Sequence, residues 1–151
     1  MRGRLKRAAG ILLQIQDTPH RTALAFAIGV HIAFNPLLGV HTLLALGVAV
    51  VFKLNRVAML LGAFINNPWT IAPLYMAGTL VGCFVLRVPP EGLARIQWSG
   101  GSVALWHALQ PFLWPFVVGN LLLGTLCALP AYSLLRRFLE RRTAAAALPA
   151  A

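Results

Sequence analysis

The polar side chains that could do chemistry here are few, and they sit inside long apolar stretches: His31, Asn35, His41, Thr42, Asn66, Asn67, Thr70 and Asn120. An amide or imidazole in such surroundings is costly unless hydrogen-bonded. It therefore turns towards another polar side chain or towards backbone that a helix leaves unpaired. His31 and Asn35 are four residues apart and share one helical face. Asn66, Asn67 and Thr70 cluster around Pro68, where helix ends leave N–H and C=O groups without partners. Their ordinary role is to satisfy those groups and fix the two breaks, Asn35-Pro36 and Asn67-Pro68. The sharper role is to line a site, because half-helix ends with polar side chains form the binding sites of many transporters. His31 and His41 invite a proton relay, with a neutral packing histidine as the plainer alternative for each.

Enzymatic chemistry finds little to work with. Of the acidic residues there are only Asp17, Glu91 and Glu140, all outside the apolar blocks. There is no nucleophile–base pair, no HExxH and no carboxylate pair to hold a metal. Cys83 and Cys127 lie in apolar runs, with neither a second cysteine nor a histidine within four residues, and read as small buried hydrophobes. The expectation is therefore no catalytic residue, no metal and no cofactor: a protein that is not an enzyme.

The elements that position the polar residues follow from hydropathy. The 151 residues are 59% hydrophobic and 11% charged, against about 45–50% and about 25% in soluble domains. So short a chain cannot bury that much apolar surface in its own core, which predicts an all-α integral membrane protein. A net charge of +10 would suggest nucleic acid in a soluble protein. Here the cations punctuate the apolar blocks and form no groove, so no nucleic-acid partner is expected.

Residues 1–18 form a basic amphipathic segment, retained as part of the chain and ending in Thr18-Pro19, a capping hydroxyl followed by proline at the first helical position. Residues 19–86 form a broken-helix core. Its first block, Thr22 to Phe52, would extend roughly 46 Å as one helix, too long for one crossing and too short for two. Asn35-Pro36 near its middle predicts a tight or re-entrant hairpin. Asn66-Asn67-Pro68 interrupts the second block, Val57 to Leu86, in the same way; the similar placement of Gly29 and Gly62 leaves internal duplication open beside convergence. Residues 87–110 read as an interfacial loop with a short amphipathic helix, 111–135 as a transmembrane helix, and 136–151 as a basic, Ala-rich tail, unstructured after Thr143.

Charge sets the orientation. Residues 87–110 are poorest in positive charge for their length and belong outside. The first block then returns to its own side, the second crosses once as a broken helix, and the last crosses back. Both termini lie in the cytoplasm of a multi-pass inner-membrane protein. Arg2, Arg4, Lys6, Arg7, Arg136, Arg137, Arg141 and Arg142 are placed to meet anionic headgroups. The small residues Ala25, Gly29 and Ala33, and the pair Gly78 and Gly82, are spaced for close helix packing. They would seat either a neighbouring helix or a second copy, and a homo-oligomer is expected.

Several of these runs resemble one known family. Asp17 to Gly29, Pro36-Leu-Leu-Gly-Val-His41-Thr42, Leu54-Asn55-Arg56 and Leu61 to Thr70 are similar to a bacterial membrane-domain family, the domain of unknown function (DUF) 2062. The resemblance covers roughly residues 10–86 and extends more loosely to the C-terminal span. It departs at His31, where an aromatic or apolar residue is usual, and at Asn35, where Thr, Leu or Phe is. It implies a helical bacterial inner-membrane protein and no particular activity. The functional expectation is a small transport or permeation protein with its site at the breaks. The alternative is a non-catalytic scaffold or accessory subunit assembling through the small-residue faces.

Overall fold

The computed structural model describes residues 18–35, 40–65, 69–94 and 106–146, and all elements among them are helical. They are α1 (Pro19–Ala33), α2 (His41–Val51), α3 (Arg56–Ala63), α4 (Ile71–Leu86), the single turn α5 (Glu91–Ala94), a 3-10 turn (Gln110–Phe112) and α6 (Leu113–Ala146).

Local chemistry explains where they start and stop. Thr18 caps α1, accepting from the Arg21 N–H at 3.4 Å, with Pro19 in the first turn. Asn55 caps α3 with a shorter bond from the Ala58 N–H, 2.9 Å. The helix α2 closes with Lys53 in the left-handed region (φ 50°) and the Leu54 N–H on the Ala49 carbonyl at 2.8 Å. At the end of α4, Arg87 (φ 55°) and a bond of 2.9 Å from the Val88 N–H to the Cys83 carbonyl repeat that turn.

The helix α6 does not stop at its arginines. It runs 34 residues, about 51 Å, through Thr143 to Ala146. Arg, Glu and Ala all favour helix, and Arg136 and Glu140 pair across one turn at 2.7 Å. The expected unstructured end is thus helical as far as Ala146, while 147–151 lie outside the described residues. At its other end Pro111 belongs to the 3-10 turn.

Within the first block, α1 and α2 form an antiparallel hairpin. Their near ends are joined by 34–40, and at their far ends the Arg21 guanidinium donates to the Lys53 carbonyl. α3 crosses α1 at Gly29 and Gly62, where backbone meets backbone. A Cβ on Gly29 would strike the Met59 carbonyl, and one on Gly62 the Phe26 carbonyl. Ala25, Ile32, Ala45, Ala49, Ala58, Met59 and Ala63 fill the space between the three helices.

The long helix α6 organises the rest. Both α1 and α4 lie antiparallel to it, one after the other. α1 meets it between Gly124 and Tyr132, through Phe34, His31 and His20. α4 meets it between Pro115 and Asn120, through Gly78 and Gly82. With the preceding turns, this helix (Trp106–Ala145) is the one long and apolar enough to cross a membrane among the described residues. The helices α2 and α4 are apolar but shorter.

Candidate functional site

The end of α1 and the end of α3 are both tied to the start of α4. Tyr75, in the second turn of α4, donates its hydroxyl proton to the Asn35 carbonyl at 2.9 Å. Thr70, just before α4, donates to the Ile65 carbonyl at 2.7 Å. Each bond gives a partner to a carbonyl just beyond a helix end. The residues flanking the two breaks are thereby held at one level, beside the middle of α6. Pro36, Asn66, Asn67 and Pro68 lie outside the described residues.

His31 reaches the same region from α1. Its Nδ1 is 3.4 Å from the Thr125 hydroxyl, which itself donates to the Leu121 carbonyl at 2.9 Å. With its proton committed there, Thr125 offers His31 an acceptor. Gly124 makes the approach possible, since a Cβ there would stand 2.9 Å from the Phe34 Cβ and 3.3 Å from the His31 Nδ1. Asn35 is half-buried. His41, at the start of α2, is half-buried too, and its buried Nδ1 has no hydrogen-bond partner among the described residues. Thr42 follows it, also half-buried.

Asn120 belongs to a different contact. It is fully buried, donates to the Phe116 carbonyl at 2.8 Å, and presses its Oδ1 against Gly78. The helix α1 ends at Ala33, so His31 and Asn35 do not share a helical face: His31 turns to α6, Asn35 is tied to α4, and Asn120 lies in the α4–α6 interface. Among the described residues no three His, Cys, Asp or Glu side chains gather to hold a metal. The small-residue positions are occupied within the chain: Ala25, Gly29 and Ala33 are buried in α1, with Gly29 against α3, and Gly78 and Gly82 lie against α6.

Tyr75 and Thr125 complete this centre, and neither stood out in the sequence. A tyrosine inside an apolar helix needs a partner for its hydroxyl, which is the signal that could have marked Tyr75.

A second polar group lies at the opposite end of α1, and the sequence marked Arg136 in it, for headgroups, but neither His20 nor Tyr132. The His20 Nδ1 lies 2.7 Å from the Tyr132 hydroxyl, and the Arg136 Nη1 donates to that same oxygen at 3.1 Å. A guanidinium only donates, so the phenol accepts from Arg136, and its bond to His20 runs in the direction that the imidazole tautomer sets. Nε of Arg136 donates to Glu140 at 2.7 Å.

A family model matches residues 4–147, nearly the whole chain. The chain belongs to the DUF2062 family. Its members are described as an uncharacterized protein conserved in bacteria. Neither a curated protein nor a solved structure matches the chain. The DUF2062 match reaches beyond the 10–86 stretch whose motifs carry the resemblance and takes in α6. The long helix against which both halves pack is therefore part of the family's domain.

Proposed function

We propose that this DUF2062 chain is a multi-pass protein of the bacterial inner membrane, and that it passes a small ion or solute where its helix breaks converge. One observation carries the reading: Tyr75, seven residues after Pro68, bonds the Asn35 carbonyl beside Pro36, and Phe34 lies against Gly124 near the midpoint of the one membrane-length helix among the described residues. If α6 spans the bilayer, that midpoint lies near its centre. The α1–α2 hairpin then enters and returns on the arginine-rich side. α3 and α4 together make one broken crossing, and α6 makes the second, which keeps both termini in the cytoplasm. Irregular backbone at such depth is stable where protein or a water-filled path covers it.

A second reading is a non-catalytic scaffold or accessory subunit. It is supported by Thr70, Tyr75 and Thr125, each of which spends its hydroxyl proton on a neighbouring carbonyl, as a purely architectural centre requires. In either case self-association uses the outer surface, because the glycine faces are taken. Val40, Leu43, Phe64 and Trp69, all exposed around the break flanks, offer the apolar area.

Asn67→Ala separates the two readings. The variant and the parent chain are reconstituted in vesicles, and the decay of imposed proton and potassium gradients is followed with entrapped dyes. Permeation predicts a flux in the parent that falls at least tenfold in a variant that still inserts and remains monodisperse. Absence of flux from the parent, with only a lower melting temperature in the variant, would leave the scaffold.

A further inference from the structure

We propose that the groove between α1 and α6 holds one acyl chain of an anionic phospholipid, with the lipid phosphate bound at His20 and Arg136. The inference rests on the membrane reading above, which turns this groove towards the bilayer. The groove has a volume of about 330 Å³ and is walled by Leu24, Ala27, Ile28, Ala128 and Leu129. It exists because α1 and α6 are held by side chains at two levels, His31 to Thr125 and His20 to Tyr132, with only alanine and aliphatic residues between. Clefts for small ligands span about 300–1,000 Å³, and one so small and so apolar suits an unbranched hydrocarbon chain.

The chemistry at its mouth selects the headgroup. A phosphate at the mouth selects the tautomer in which Tyr132 donates to Nδ1 of His20, because that form carries its ring proton on Nε2, on an exposed side chain. Arg136 is partly exposed, with Nε on Glu140 and one Nη1 proton on Tyr132, which leaves outer N–H groups for another acceptor. Both side chains bond to one phenol oxygen, which gathers them at the same end of the groove. Glu140 offsets part of the Arg136 charge. Arg21 and Lys53, joined to each other at the same end of α1, keep the mouth positive. An anionic headgroup complements that charge, whereas a zwitterionic one brings its own cation against it. The tyrosine and the arginine also stand where an interface places them, next to the apolar part of α6.

The test uses the full chain in neutral detergent. Phosphatidylglycerol or phosphatidylcholine with identical acyl chains is added, and bound lipid is counted by native mass spectrometry. The expected result is one phosphatidylglycerol per chain, retained at a concentration at least tenfold lower than phosphatidylcholine. The surface double variant His20→Ala with Arg136→Gln should bring that ratio below about twofold. Ala128→Phe, which fills the groove, should weaken both lipids alike, and millimolar inorganic phosphate should not displace the lipid. Equal retention of the two lipids by the parent chain, or an undiminished preference in the double variant, would overturn the site. A chain that stays out of membranes altogether would overturn the membrane reading with it, whereas an embedded chain without preference sinks this inference alone.

Discussion

The two halves of α6 are held in opposite ways. Against α4 the contact is backbone on backbone: a Cβ on Gly119 would strike the Gly78 carbonyl and the Gly82 N–H, and one on Gly82 the Pro115 carbonyl. Against α1 the contact runs through side chains, His20 to Tyr132 and His31 to Thr125, and between them a groove stays open. Close approach of two helices removes room for ligands and fixes their relative position through dispersion alone, the main source of affinity once both are in lipid. Spacing by side chains leaves room and places polar atoms beside it. The α4 half is therefore fixed along its glycine line, with an apolar cleft of about 390 Å³ beside that line at Tyr75, Thr79, Phe112 and Phe116, whereas the α1 half sets its groove next to exposed polar groups.

The comparison breaks hardest at Gly119. In Gly119→Ala the new methyl meets main-chain atoms of α4, which cannot rotate away, so the helices must separate. A destabilisation of about 2–3 kcal/mol is expected, the upper part of the range for overpacking. Thermal unfolding of the detergent-solubilised chain, followed by loss of the monodisperse peak, measures it. A variant as stable as the parent would mean that α4 and α6 are not in backbone contact.

Five residues further along the same helix, the same substitution should do far less. A Cβ on Gly124 would meet the Phe34 Cβ at 2.9 Å, and the His31 Nδ1 and carbonyl oxygen each at 3.3 Å, where α1 ends. The Phe34 Cβ moves only with its main chain, so the end of α1 must give by a fraction of an ångström, a cost that the gain of up to about 1 kcal/mol in helix propensity offsets. Gly124→Ala is expected to change stability by less than about 1 kcal/mol in the same assay. A loss equal to that of Gly119→Ala would erase the distinction between the halves.

Much of this frame was legible before any coordinates. Thr18-Pro19 announces α1 because a cap and a proline act within four residues of chain. The length of the first apolar block asks for an interruption near Asn35, and Asn66-Asn67-Pro68 marks one in the second; helices end at Ala33 and Ala63 and resume at His41 and Ile71. Spacing also marked Gly29 and Gly78 as packing positions. What spacing gives is a face, never the element lying on it. Nothing local says that Gly29 meets α3, that Gly78 meets α6, or that His20 meets a tyrosine 112 residues away. The groove was invisible for the same reason, since it belongs to two helices from opposite ends of the chain. The continuation of α6 past Arg136 was misread because positive charge was taken as the end of a span and so as the end of the helix. Charge ends burial in lipid, whereas helix ends only where propensity and hydrogen bonding fail.

The finest discrimination lies at Thr125. Its hydroxyl donates to the Leu121 carbonyl at 2.9 Å, an intrahelical bond that any turn of α6 can do without, because that carbonyl already has its helix partner. The contact with His31 is long, 3.4 Å, and the threonine is exposed. Thr125→Val keeps the shape and deletes both bonds. If the side-chain contacts on the α1 half serve as spacers for the groove, shape is what matters there, and the variant should lie within about 0.5 kcal/mol of the parent. It should also keep the preference for phosphatidylglycerol, which is set at the other end of α1. A loss above about 1 kcal/mol would mean that His31 depends on that hydroxyl as a committed partner. In that case the α1 half would be pinned at its centre as firmly as α4 is, by hydrogen bonding in place of glycine.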